Sequence, residues 1–392
     1  MTQPYPARQQ PGWDIAPIAR DWAGLPAIEG DLTADACVVG LGGSGLAAVE
    51  ELLDRGLSVI GVDAGRVAAG AAGRNGGFLI GGPAMPLSTP TPNWTDQAKA
   101  DLWSVTLAEL DHLSTLLGPR IVHRCPWLNI AGPIADTEQA TGQAELAALQ
   151  TESAALRAIG LQVDPWTGPL GNGIAIAGQA RVNPAERVLT TAAALIERGA
   201  ELYEHSPVSR AADGVVSTPS GTITAKIIIV AVDGRLDQLF PQLPVTTYRL
   251  QMLSTGPLGR RVLPDAVVSA REGYEWLQQD DAGRLLLGGG RDHQLVAERT
   301  SNAEPSAEVQ QWIEGVAAAV IDGPFEVTHR WAASVGYTED ERPLCVPIDQ
   351  TVMAVGGYSG HGNLVGAVNA RAAVRHLLDG AAVPDWANST PA

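Results

Sequence analysis

The run at residues 37–63, CVVGLGGSGLAAVEELLDRGLSVIGVD, limits the fold more than any other stretch of the chain. An apolar β run leads directly into Gly40, Gly42 and Gly45, which fit the spacing G-x-G-x-x-G. A helical segment follows, and a second apolar run ends on Asp63, 18 residues beyond Gly45. The first glycine permits a tight turn, the second lets backbone approach a pyrophosphate, and the third packs helix against strand. With Gly43 and Ser44 completing the turn, free N–H groups from Ser44 onward face phosphate. Asp63 is then placed to bind a ribose hydroxyl pair. A bare spacing means little in a chain with 44 glycines, but strand, helix and acid in register predict a dinucleotide site. Whether the dinucleotide is a transient nicotinamide or a resident flavin stays open on this stretch alone.

The remaining composition narrows the class. At 392 residues the chain is long enough for about two domains. No stretch approaches the ~18 uninterrupted apolar residues of a membrane span, and the start, MTQPYPARQQPGW, has no apolar signal core. A cytoplasmic protein is the expectation. Cys37, Cys125 and Cys345 sit in apolar neighbourhoods with no metal-type spacing, and read as buried free thiols. No metal site is expected. The net charge is −17, and only Lys99 and Lys226 among the 26 basic residues are lysines. Such a surface does not suit nucleic acid, which needs a basic patch.

Along the chain, residues 1–33 read as an arm carrying Trp13 and Trp22. The glycine-rich run at 64–85 is too long for an incidental turn in a compact domain. Helical spacing covers 96–117 and 137–159, with a short strand pair predicted at 121–131. Asn183-Pro184 opens an amphipathic helix. A hairpin is expected about Pro219-Ser220, then a buried strand at 227–232. From Thr246 the pattern becomes short alternating runs, among them 274–278, as in an antiparallel sheet. These segments predict a nucleotide domain made of 34–92, 176–240 and 322–383. They predict a second domain from 93–175 and 241–321.

Taken together, several motifs resemble the D-amino-acid-oxidase type of FAD-dependent oxidoreductase, which includes glycine oxidase, sarcosine oxidase and γ-glutamylputrescine oxidoreductase. They are VVGLGGSG with Asp63, GAAGRNGG at 70–77, IIIVAVDG at 227–234, GYEWLQQDDAGRLLLGGGRD at 273–292, the frame from Trp331 to Asp340, and GGYSGHGN at 356–363. The GRNGG and YSGHG elements lean toward the γ-glutamylputrescine branch. The resemblance implies an α/β plus α+β fold: a discontinuous Rossmann-type FAD-binding domain, and a substrate domain built on an antiparallel sheet. It implies resident FAD held by the Gly40–Gly45 turn and Asp63, with Val208, in a middle strand, beside the adenine. It assigns Arg66, Ala71, Ala72, Gly73, Arg74, Asn75, Gly76 and Gly77 to the pyrophosphate, ribityl and ring region. Gly357, Tyr358, Ser359, Gly360, His361, Gly362 and Asn363 are assigned to the space beneath the flavin pyrimidine. A glycine-rich turn opening a helix also gathers free N–H groups and the positive dipole end where reduced flavin carries charge.

The implied reaction is oxidation of an amine C–N bond to an imine, with O2 or another electron acceptor regenerating the flavin. Candidate substrate-side residues are Tyr274, Trp276, Trp331 and Tyr337, with His361 near the ring and Tyr248 as a further aromatic. Two departures stand out. Glycine-oxidase-like members carry a carboxylate-clamping arginine where this chain has Val335, near the point where monomeric sarcosine oxidases attach flavin through cysteine. The latter also carry a lysine where this chain has Leu364. Non-covalent FAD and an amine substrate other than a small α-amino acid are therefore expected, unless Arg74 or Arg249 substitutes. Residues 285–287 are leucines where sarcosine oxidases use a lysine to promote reaction with oxygen, so oxidase and dehydrogenase both stay open. Rival readings are a partner-dependent flavin subunit, an NADPH-dependent flavin hydroxylase and a nicotinamide dehydrogenase.

Overall fold

In the computed structural model, residues 10–134 and 139–389 are described. β1 (Leu32–Val39) is followed by α1 (Gly43–Asp54) and β2 (Val59–Val62). α2 (Pro184–Glu197) begins on Asn183, whose Oδ1 accepts from the Ala185 and Glu186 N–H groups at 3.0 and 3.1 Å, as its cap position predicts. β3 (Gly221–Val230) runs parallel to β1, and Val215–Thr218 forms the expected hairpin with it. β4 (Thr246–Pro257) and β5 (Val327–Tyr337) form a long antiparallel pair. β6 (Val352–Gly356) and α3 (Gly362–Asp379) follow.

The first sheet carries β6, β3, β1, β2 and Glu201–Tyr203 side by side, all parallel, with the antiparallel strand Leu344–Pro347 at the β6 edge. Successive residues of β1 face opposite sides. Ala36 and Val38 join the core under α1, α2 and α3, while Cys37 and Val39 join the core on the other face. All three cysteines are free and buried, and burial pushes the Cys37 thiol up to about 12.

Among the described residues the second sheet has nine strands and is antiparallel except where His123–Ile130 meets Val267–Ala270. Ala307–Ile321 covers one face of it. Several boundaries differ from the sequence reading. Phe78–Leu79 and β5 lie in the stretches 34–92 and 322–383, yet both pair into this second sheet. The boundary at 176 cuts Gly171–Arg181, a continuous strand of the same sheet. The predicted strand pair at 121–131 is one strand, His123–Ile130, whose antiparallel partner is Gly171–Arg181. Of the helix predicted at 137–159, Gln139–Ala158 is seen and residues 137–138 lie outside the described residues. Long-range pairing decided these points, and local pattern does not report it.

Residues 10–31 pack across both sheets. Trp13 is 1% exposed, donates Nε1–H to the Asn75 carbonyl at 2.8 Å, and meets Trp331 edge to face at 6.4 Å. Its own carbonyl accepts from Asn183 Nδ2, and that of Gly12 from Arg284. Trp22 donates to Glu204. Residues 1–9 of the predicted arm lie outside the described residues.

Candidate active site

A cavity of about 700 Å³ runs from the C-terminal ends of β1 and β2, past the end of β3, to the start of α3, with β5 as one wall. Open parallel sheets bind ligands at such ends, where helix N-termini point inward. At one end lie Gly40, Gly42, Gly43, Ser44 and Asp63. Gly40 has φ +95°, and a Cβ on Gly45 would stand 1.7 Å from the Gly40 carbonyl oxygen. Gly45 therefore shapes the turn from beneath, away from the cavity wall. Asp63 accepts from the Leu41 and Gly65 N–H groups at 2.8 and 2.9 Å, and its burial raises the carboxyl pKa. Val208 is on the wall, in the connection between Glu201–Tyr203 and Arg210–Ala212, not in a strand as expected.

The GRNGG loop divides between wall and frame. Ala71, Ala72, Arg74 and Asn75 face the cavity. A Cβ on Gly73 would stand 2.1 Å from the Ala68 carbonyl oxygen, one on Gly76 2.8 Å from Trp276, and one on Gly77 2.3 Å from the Val182 carbonyl oxygen. Those three glycines permit close packing behind the loop. Asn75 Nδ2 donates to the Ala71 and Ala72 carbonyls, and its Oδ1 accepts from Gly77 N–H at 2.8 Å. Asn75 and Asn363 also exchange amide hydrogen bonds at 3.2 and 3.0 Å, which tie the loop to the start of α3. Arg66 departs from its expected place, since its guanidinium donates to the Ala19 carbonyl at 2.7 Å and serves the N-terminal arm.

The far end is the turn before α3. Gly357 and Gly360 have φ +67° and +92°, and Ser359 sits at +51°. Asp233, at the end of β3, accepts from the N–H groups of Gly336, Gly357 and Tyr358 and so joins three strand ends. Burial pushes its carboxyl up to about 6 against the pull of those donors. Tyr358, Gly360, Gly362 and Asn363 reach the cavity; Gly357, Ser359 and His361 support them. Both His361 ring nitrogens are sealed from solvent without an aligned partner, and burial lowers its pKa to about 4. The ring is thus neutral at pH 7.

This arrangement fixes a sign. Below the ordinary histidine pKa the unfolded chain takes up a proton that folded His361 refuses, so folding weakens as pH falls from about 6.5 to 4. Relative to His361→Asn, the wild type should lose on the order of 3 kcal/mol between pH 7.5 and 4, read from urea unfolding of both proteins. An advantage independent of pH would contradict a buried neutral imidazole.

None of Tyr274, Trp276, Trp331, Tyr337 and His361 lines the large cavity. Trp331 is 2% exposed and donates to the Arg74 carbonyl at 2.8 Å, so it props the loop. Trp276 fills the space left by Gly76 and Gly288. The Tyr337 hydroxyl lies 3.4 Å from where a Cβ on Gly360 would stand, which brings it beside the wall. Arg249 is fully engaged with buried Glu298 at 2.7 and 2.8 Å, and Arg74 donates to the Ala332 carbonyl. At the positions of the two departures, Val335 is on the wall and Leu364 is in the core beside Leu79 and Leu110.

Arg187 escaped the sequence reading. It lies on α2, 3% exposed, and donates to Asn363 Oδ1 at 2.8 Å and to the Asn363 carbonyl at 3.0 Å. Its guanidinium stands against Gly43, where a Cβ would come within 3.0 Å of Nη2. No carboxylate reaches ion-pair distance among the described residues, and burial lowers its pKa to about 10, so it stays charged. The available signal was a charge on the apolar stripe of an amphipathic helix.

Residues 35–375 match the family described as DAO, FAD dependent oxidoreductase. The chain belongs to this family. A probable oxidoreductase OrdL of Rhizobium meliloti is 26% identical over 365 residues, covering 86% of this chain and 81% of that protein. The γ-glutamylputrescine oxidoreductase of Escherichia coli is 25% identical over 382 residues, covering 88% and 84%. Among solved structures, glycine oxidase from Geobacillus kaustophilus aligns with TM-score 0.70 at 19% identity, covering 90% of this chain and 96% of that one. L-Proline dehydrogenase from P. horikoshii aligns with TM-score 0.69 at 16% identity, covering 92% and 96%. At such identities the structures speak for the fold, which is the Rossmann-type α/β plus α+β fold expected.

As a DAO-family oxidoreductase the protein uses FAD, and the cavity fits it. The glycine turn leaves room for backbone to meet a pyrophosphate, α1 and α3 aim their N-termini inward, and Arg187 supplies a buried positive charge between them. Among the described residues no cluster of three or more His, Cys, Asp or Glu could hold a metal, and no helix is long and apolar enough to cross a membrane.

Proposed function

We propose that the protein oxidises the C–N bond of an amine to an imine, which water then converts to a carbonyl compound and ammonia or a smaller amine. Bound FAD supplies the two-electron sink. The chain's residues bind, orient and exclude water. The observation that carries the reading is the β5 wall of the cavity, Ala332, Ala333 and Val335, with neutral His361 behind Gly360. Such a surface favours the uncharged amine that hydride loss requires, while Asp233, which lines the same cavity, is held by the Gly336, Gly357 and Tyr358 N–H groups. Tyr274, Trp276, Trp331 and Tyr337 act in this reading as the aromatic surround. The Gly40–Gly45 turn, Asp63, Val208, the GRNGG loop and the Gly357–Asn363 turn hold the cofactor, with Arg66 contributing through the arm.

The decisive experiment is anaerobic addition of polyamines, acylated polyamines, N-methyl amines, glycine, sarcosine and D-amino acids to the holoenzyme while the flavin absorbance is followed. Bleaching by amines but not by small α-amino acids is expected. Fast turnover of sarcosine or glycine would overturn the substrate part. Flavin that no amine bleaches would point to a subunit needing a partner. Apolar Val335 at the sarcosine-oxidase linkage point leads to non-covalent FAD. Acid precipitation should therefore leave a colourless pellet and a yellow supernatant. The acceptor is O2 or another oxidant. Leu285–Leu287 place no cation there, so reoxidation in air should be slow in stopped flow.

A further inference from the structure

Asp233 stands where the two sheets meet, on the wall of the cavity. It follows β3 of the first sheet, and its Oδ2 accepts from Gly336 N–H, on β5 of the second sheet, at 3.1 Å. Its Oδ1 accepts from Gly357 N–H at 2.9 Å and from Tyr358 N–H at 3.3 Å, in the turn between β6 and α3. One carboxylate thus joins elements 103 and 124 positions away along the chain. The seam is shaped around it. A Cβ on Gly336 would come 2.9 Å from Asp233 Oδ1, and one on Gly356 3.0 Å from Asp233 Cα. The Gly336 carbonyl accepts from Ser359 N–H at 2.9 Å, a second tie between the same strand and turn. Asp233 itself holds φ +38°, in the left-handed region that few aspartates adopt. Such strain persists only where the surroundings over-determine it. Its carboxylate is also buried with no cation at ion-pair distance among the described residues, an arrangement that weakens folding. Neither feature is needed for packing alone.

We propose that Asp233 is a positioning residue for the redox step: its carboxylate fixes the β5 wall against the Gly357–Asn363 turn and places one negative charge beside the cofactor. Gly336 follows Val335, which lines the cavity, and Tyr358 and Gly360 line it from the turn. In the amine-oxidising reading the substrate lies against the first surface and the flavin against the second. The reach of Asp233 then sets their separation, on which hydride transfer depends steeply. Its charge acts separately. Reduced flavin gains negative charge, which a carboxylate in the same low-dielectric cavity opposes. Asp233 therefore holds the potential of the cofactor down and favours release of electrons to the acceptor. Tyr337 on β5 and Tyr358 on the turn face it, and burial raises both phenols, so both are neutral at pH 7. The His361 ring on that turn is uncharged as well. Arg235 and Asp237 follow on its own turn, where Arg235 donates to the Ser301 carbonyl. The inference rests on the amine-oxidising reading and extends it to the residue that sets geometry and potential.

The test measures flavin midpoint potentials of the holoenzyme against a reference dye, in wild type, Asp233→Asn and Gly336→Ala matched for flavin content. Asp233→Asn should raise the potential, favouring reduced flavin by about tenfold, or ~30 mV for two electrons. The gap between it and wild type should close as pH falls through about 6, where the buried Asp233 carboxyl takes up a proton and becomes neutral too. Titrations common to both proteins cancel in that gap. Despite its higher potential, Asp233→Asn should be reduced about 10- to 100-fold more slowly by the best amine. Its amide accepts on one side only and must release either β5 or the turn. Gly336→Ala keeps the charge but crowds the carboxylate, and should slow reduction with the potential near that of wild type. An unchanged potential in Asp233→Asn, a gap indifferent to pH, reduction as fast as in wild type, or an equal rise in potential in Gly336→Ala would each overturn the proposal. If Asp233→Asn loses its flavin, deuterium exchange of the apoprotein decides. The Gly336 amide, or those of Gly357 and Tyr358, should exchange faster than in wild type, and equal exchange would overturn the link. If no amine bleaches the flavin, the amine-oxidising reading fails by itself, and the potentials still decide the part played by Asp233.

Discussion

Gly45→Ala is expected to abolish retention of FAD. The new Cβ would stand 1.7 Å from the Gly40 carbonyl oxygen and 2.9 Å from its carbon, both backbone atoms that no rotamer change can move. The turn must open for the methyl group to fit, and overpacking of this kind typically costs about 1–3 kcal/mol or more. Because Gly40 and Ser44 line the cavity, that movement displaces the N–H groups facing the cofactor phosphates. A loss of FAD affinity of about 100-fold or more is expected, equivalent to ~2.7 kcal/mol. It would be read from the flavin-to-protein ratio after gel filtration and from titration of the apoprotein. Gly315→Ala provides the comparison. It lies in Ala307–Ile321 with open space around its Cβ, so it should retain flavin and gain about 0.5–1 kcal/mol in helix stability. Flavin retained equally by both variants would refute the close-packed turn.

The second large effect concerns Arg187. A buried guanidinium without an ion-pair partner is costly, and replacing buried charge with a matching apolar side chain is often neutral or stabilising. Arg187→Met should accordingly leave the stability of the apoprotein little changed or slightly raised. Its cofactor binding should move the other way. The guanidinium stands behind Gly43 on one side and Asn363 on the other, both on the cavity wall. Loss of its charge should weaken FAD by about 10- to 100-fold, or ~1.4–2.7 kcal/mol. It should also lower the flavin midpoint potential, because reduced anionic flavin loses a nearby positive charge. Arg187→Lys should recover part of the potential, although an ammonium cannot make both Asn363 contacts in the same plane. Unchanged FAD affinity and potential in Arg187→Met would reduce the residue to a packing role. A fall in apoprotein stability matching the fall in affinity would argue the same.

Legibility in the sequence followed locality. The glycine turn, its strand and Asp63 were readable because their geometry is set within 27 residues of continuous chain. The cap at Asn183 and the hairpin before β3 were readable for the same reason. The GRNGG and GHGN stretches were recognisable as elements, but their link was not: Asn75 and Asn363 join across 288 positions, and each is the other's hydrogen-bond partner. Trp331 and Trp276 looked like recognition surfaces because an aromatic side chain has the same signature in a pocket wall and in a prop. Only the Arg74 carbonyl against Trp331, and Gly76 against Trp276, separate the two roles. The link from Arg66 to the arm was not legible, because its acceptor is a backbone carbonyl 47 positions away.

The docking of Trp13 imposes an order in time. Trp13 is synthesised well before Asn183, Arg284 and Trp331, the residues that hold it and its neighbour Gly12 in place. Contacts so distant along the chain form late in folding. Trp13 also holds the Asn75 carbonyl, and Asn75 in turn waits for Asn363. The loop nearest the cofactor is consequently completed only after the ribosome has passed residue 363.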